Sequence, residues 1–175
     1  LDDFTSEESD RRWWAVYIKA RQEKSLARNL LGHKIPFYLP LVEKKQCICG
    51  RQASSYLPLF DGYLFLYGSD EERVDALTTN RISRVLPVRQ QEELLTDLGY
   101  LRHLIESDVP LTIERRLTRG AHVRVKSGAL RGIEGEIIRR ENGSRLLISV
   151  NYMEQGVSIE IDDFMVELVR SNDPT

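Results

Sequence analysis

The chain has 175 residues, 41% of them hydrophobic and 30% charged, the proportions of a globular protein with room for one medium domain or two small ones. No apolar run approaches the ~20 residues of a membrane helix, and the first ten residues carry five acids and no base, unlike a secretory leader. The two cysteines form one pair, Cys47-x-Cys49, too close along an extended segment for a relaxed disulfide, so a cytoplasmic protein without an oxidising signature is expected.

The net charge of −2 conceals segregation along the chain. Residues 11–51 hold ten Lys/Arg against two Asp/Glu, a balance of +8, and residues 52–108 hold five against ten, or −5. Residues 115–145 hold nine against three, or +6, and 146–175 hold one against six, or −5. A phosphate backbone responds to such local patches rather than to the molecular sum; the plainer reading is solvated faces of opposite sign.

WWAVYIKA (13–20) alternates and is rich in strand formers, so it predicts a strand. RQEKSLARNLLGHK predicts a helix with Leu26, Leu30 and Leu31 on one face and Gly32 near its end. FYLPLVEKKQ (37–46) reads as extended, and CICGRQASS as a poorly patterned tip. The stretch PLFDGYLF (58–65) then reads as a strand with the turn pair Asp61-Gly62 in its middle. Ser69 and Glu72 have capping-box spacing, opening a short helix with Val74 and Leu77 inward. RISRVLPV (81–88) is strand-like, and 90–106 is helical through Leu94, Leu98, Leu101 and Ile105. The expected fold class is α+β: an amino-terminal α/β sandwich with an antiparallel sheet over 11–106. The acidic tail 1–10 precedes it, and Pro110 marks a linker over 107–118.

Beyond the linker the period becomes two. HVRVKSG, GEIIRR, RLLISVNYM, GVSIEI and MVELV read as five short strands, with turns at Asn142-Gly143 and Gly156. They fit a small closed SH3-like barrel over 119–170, followed by a tail over 171–175.

Little in the chain could build a catalyst. His33, His103 and His122 fall in separate elements without metal-ligand spacing, and two thiols fall short of four zinc ligands. Phosphate-loop, dinucleotide and nucleophile-elbow motifs are missing from the sequence. Adjacent Asp162 and Asp163 near a strand end point to opposite faces. No enzyme activity, cofactor or metal is expected.

AHVRVKSGALRGIEGEII (121–138) carries VKxGxxxGxxG with Gly128, Gly132 and Gly135, and resembles the KOW motif of ribosomal proteins and transcription elongation factors. WWAVYIKARQEK resembles the opening strand and helix of the NusG amino-terminal domain. YLPL (38–41) and PLFDGYLF resemble that domain's aromatic hairpin, with Asp61 where the family usually has proline, and TTNRISRVL resembles the segment after its short helix. The chain is similar to NusG-family elongation and antitermination factors over roughly 12–169, and more similar to specialised RfaH-like members than to the housekeeping protein.

The resemblance implies a monomer that docks on the β′ clamp helices of RNA polymerase through Tyr17, Phe60, Tyr63 and Phe65. It implies a nucleic-acid-facing junction at Lys19, Arg21, Gln22 and Lys24, directed at the non-template DNA strand. RfaH-like members also touch the β gate loop; the corresponding residues here, Glu72 to Asp75, depart from that subgroup's His-Thr-Thr-Thr run. The KOW domain would recruit the ribosomal protein NusE or the termination factor Rho through Tyr152 and Met153. The alternative is an RNA- or ribosome-binding KOW module that never meets polymerase.

Overall fold

In a computed structural model, Trp14, Val16 and Ile18 of the first strand are buried, as alternation along WWAVYI requires. The structure describes residues 10–48, 51–114, 120–140, 143–150, 155–162 and 165–169. The chain divides into two units, Leu1–Gln91 and Glu92–Thr175. The first comprises β1 (Arg12–Ile18), α1 (Glu23–Gly32), β2 (Phe37–Tyr38), β3 (Leu41–Ile48), β4 (Arg51–Pro58), β5 (Tyr63–Gly68), α2 (Asp70–Thr78) and β6 (Ile82–Pro87).

An antiparallel sheet in the order β2-β5-β1-β6 forms the centre of this unit. Trp14, Val16 and Ile18 on β1 and Leu64 and Leu66 on β5 form one apolar cluster with Leu26 and Leu30 of α1, Ala76 of α2 and Ile82. Each fully buried Leu in such a cluster contributes roughly 1.5–3 kcal/mol. Where β6 ends at Pro87, the side chain of Gln91 takes over the pairing of β1. Its Oε1 accepts from the Trp13 amide at 2.7 Å, and its Nε2 donates to the Trp13 carbonyl at 3.1 Å.

The capping box of α2 forms as the sequence predicts. The Glu72 amide donates to Ser69 Oγ at 3.2 Å, and the Ser69 amide donates to Glu72 Oε2 at 2.9 Å. Three details of the helices differ from expectation. Val74 and Leu77 are exposed, and Ala76 is the residue that α2 buries. Leu31 is exposed as well, so α1 meets the sheet through Leu26, Ala27 and Leu30.

The expected poorly patterned tip is largely a strand. β4 pairs with β3 along its length, from Leu41↔Pro58 to Ile48↔Arg51, as a separate two-stranded ribbon. PLFDGYLF is therefore not one strand. Pro58 ends the ribbon and Tyr63 opens β5 in the larger sheet.

The second unit holds α3 (Gln91–Glu106, of which all but Gln91 fall in it), β7 (Thr112–Glu114), β8 (Ala121–Val125), β9 (Glu134–Arg140), β10 (Gly143–Val150), β11 (Gln155–Glu160) and β12 (Val166–Leu168). All five strands expected here form, and they pair antiparallel in the order β12-β8-β9-β10-β11-β7. Their core gathers Val123, Val125, Ile133, Leu146, Ile148 and Ile159 with Leu104 of α3. Leu94, Leu98 and Leu101 are buried too.

Three expectations change in this unit. Among the described residues the sheet keeps two ends, β12 and β7, and no pairing closes it into a barrel. Gly156 lies inside β11, opposite Ser149, and not in a turn. The segment expected to be a linker contributes β7, which pairs with β11.

Candidate functional site

The Asp61-Gly62 turn organises the site. Gly62 has φ +79°, a left-handed conformation that glycine adopts at no steric cost. Its carbonyl accepts from the Ile18 amide at 2.8 Å. Its own amide donates to Glu23 Oε1 at 2.9 Å. Glu23 is only 8% exposed, so the first turn of α1 is fastened to the entry of β5 by a carboxylate. A Cβ at position 62 would lie 3.2 Å from Tyr17 Cε2, so the Tyr17 ring rests on the bare backbone of this turn.

Tyr17 and Tyr63 are directly opposite on β1 and β5. Their ring centroids are 5.2 Å apart, tilted by 55°, a favourable aromatic arrangement. Tyr17 is 44% exposed and Tyr63 half-buried. On its other side Tyr17 is opposite Arg84 of β6, which is exposed. Phe65 shares the Tyr63 side of β5, because side chains alternate. Phe65 and Phe60 are buried, at 0% and 1% exposure. Of the four expected docking aromatics, the tyrosines are thus at the surface and the phenylalanines are inside.

The junction between β1 and α1 gathers the expected nucleic-acid residues. Lys19 Nζ donates to both the carbonyl and Oδ1 of Asn80, each at 2.8 Å. Gln22 Oε1 accepts from Arg81 Nη1. Arg21 and Lys24 are exposed, and Arg21 sits at φ +61°, where a non-glycine residue carries a cost of roughly 1–2 kcal/mol. Arg81 Nε is buried without a hydrogen-bond partner among the described residues. Sequence reasoning missed Asn80, Arg81 and Glu23. Asn80 and Arg81 lie about sixty residues from their partners, beyond any local pattern.

A second polar group lies in the other unit. Glu134 accepts from Arg124 Nε at 2.7 Å and faces His122 Nε2 at 3.1 Å. Burial opposes ionisation of Glu134, but hydrogen bonds from Arg124 and His122, with their charges, hold its carboxyl below the usual carboxylate range. Burial and the nearby Glu134 charge raise the Tyr100 phenol. Tyr100, His122 and Glu134 border a groove of about 590 Å³ with Glu92, Asp97 and Glu136. Among the described residues no three His, Cys, Asp or Glu side chains are grouped to hold a metal.

Gly128 and Gly132 have φ +84° and +90°, and the loop they shape leads into β9. Gly135 is required for a different reason, since a Cβ there would lie 2.4 Å from the Leu147 carbonyl oxygen. Tyr152 and Met153 lie outside the described residues, as do residues 1–9.

The family model of NusG, described as transcription termination factor nusG, matches residues 11–98. The chain belongs to the NusG family. Members of this family are transcription factors of elongation and termination, not enzymes, and they generally bind RNA polymerase. The match spans β1 through the first two turns of α3, so it contains the Tyr17–Tyr63 pair and the Lys19–Lys24 junction. No curated protein matches the chain. Among the described residues no helix is long and apolar enough to cross a membrane.

Proposed function

We propose that this NusG-family chain binds the β′ clamp helices of RNA polymerase and suppresses pausing or termination. The observation that carries the reading is the surface pair Tyr17–Tyr63, set 5.2 Å apart over the Gly62 turn. Rigid aromatics at a surface anchor helices well, because they bury large area with little rotamer entropy to lose. Phe65 and Phe60 act from beneath, fixing the strand and turn that carry the tyrosines. Arg21 and Lys24 attract the phosphates of the non-template strand. Lys19 and Gln22 meet that strand after leaving Asn80 and Arg81.

The mechanism requires no chemistry. A factor that binds the elongating conformation of polymerase more tightly than the paused one shifts the population toward elongation. The carboxy-terminal unit acts as a KOW domain that recruits NusE or Rho through the region of Tyr152 and Met153. It would keep that second factor at high effective concentration. The protein works in the cytoplasm as a monomer.

The basic balance of residues 115–145 supports a second reading, an RNA- or ribosome-binding module. Against it, Arg124 is engaged by Glu134 and Arg145 by Ser158 and Thr112, which leaves fewer cations for phosphate. Capture of core RNA polymerase by the full chain at moderate salt tests the first reading. No capture, together with RNA binding that falls steeply with salt, would establish the second.

A further inference from the structure

β7 is an edge strand of three residues, paired as Gly156↔Glu114, Val157↔Ile113 and Ser158↔Thr112. Thr112 and Ile113 are exposed, so apolar burial contributes little to holding it. A polar network holds it instead. From β10, Arg145 reaches across β11: Nε donates to Ser158 Oγ at 2.8 Å, and Nη2 donates to the Ser158 carbonyl at 3.0 Å. The same Nη2 donates to Thr112 Oγ1 at 2.8 Å. Ser158 Oγ in turn donates to Glu114 Oε1 at 2.7 Å. Arg145 Nη1 completes the set, 3.3 Å from Glu160 Oε1. Ser158 is fully buried and the Arg145 side chain is 15% exposed. The guanidinium fork is thus fixed, and it presents donors to the hydroxyl of one strap residue while Ser158 serves the carboxylate two positions on.

We infer that Thr112–Glu114 is an intrachain latch, occupying a strand-addition site on the β11 edge, and that Arg145 with Ser158 reads its hydroxyl-x-carboxylate pattern. A short edge strand with little apolar burial opens at the low end of a protein's local stabilities. Once it opens, β11 presents unpaired N–H and C=O groups, and Arg145 and Ser158 face the vacated edge. The segment that fits there is an extended peptide with a hydroxyl and a carboxylate two residues apart, as in the chain's own Thr112-Ile113-Glu114. This holds whichever partner the amino-terminal unit takes.

The test is made on the full chain. The double variant Thr112→Val with Glu114→Gln changes only the strap and leaves the sheet core intact. In native-state amide exchange, its β7 and β11 amides are expected to exchange at least tenfold faster than in the wild type, with β8 and β9 amides unchanged. The variant is also expected to bind a synthetic peptide of residues 109–116, which the wild type, its site filled, binds at least tenfold more weakly. Arg145→Met, if it folds, is expected to show the same local exchange but to lose the peptide. The inference is overturned if exchange is unchanged, if it quickens uniformly across the sheet, or if the strap variant does not bind the peptide.

Discussion

Glu23 and Gly62, thirty-nine positions apart, are joined by a hydrogen bond of 2.9 Å from the glycine amide to a carboxylate that is only 8% exposed. The bond fixes the start of α1 against the turn on which Tyr17 rests. Removing the acceptor leaves a buried amide unsatisfied, which costs about 1–3 kcal/mol. Glu23→Ala is therefore expected to lower the unfolding free energy measured in urea by that amount. Glu23→Gln keeps an oxygen acceptor and is expected to recover most of it.

The four aromatics expected from the sequence at a docking face separate by burial. Phe65→Ala removes a side chain with no exposure and is expected to cost roughly 3–5 kcal/mol. Tyr17→Ala removes a ring that is 44% exposed and is expected to cost about 1 kcal/mol, in keeping with a surface aromatic pair. Chemical denaturation of the two variants checks the contrast. It also dictates the choice of mutants, since a binding defect in Phe60 or Phe65 variants would be confounded by unfolding.

Ser69→Ala deletes one half of the α2 capping box. An N-cap serine is worth about 0.5–2 kcal/mol, so a loss of that size in urea is expected. Ser69→Asp is expected to restore it, because aspartate caps as well as serine.

The depressed carboxyl of Glu134 makes a pH prediction. Its unfolded value is near the ordinary 4.5, and its folded value is lower. The contribution to stability is therefore present above about pH 4.5 and is lost as pH falls through the folded value. Glu134→Gln removes this titration. Unfolding followed from pH 6 down to about pH 3 should show a shallower acid slope in the variant than in the wild type.

What could be read from the sequence follows where burial wrote a period. β1 was legible because Trp14, Val16 and Ile18 recur with a period of two on one apolar face, and the capping box of α2 because its two halves lie three positions apart. β4 was not legible. Gln52 to Leu57 are all exposed, and a ribbon with no buried face leaves no alternation to detect. β7 escaped for a related reason: its partners, Arg145 and Ser158, are supplied by distant strands. Val74 and Leu77 looked like an inner face, but α2 meets the sheet only along the narrow strip at Ala76. Of the site, Tyr17, Tyr63 and the Lys19–Lys24 junction were legible as motifs. Asn80 and Arg81, which hold Lys19 and Gln22, were not, because only the tertiary fold brings them together.

The most direct measurement is the affinity of the full chain for core RNA polymerase at moderate salt, compared with that of the double variant Tyr17→Ala, Tyr63→Ala. Both proteins are first shown to unfold within about 2 kcal/mol of each other. The account predicts that the wild type binds and that the folded variant binds at least tenfold more weakly. Equal affinity of the two proteins, or no binding by the wild type, would contradict it.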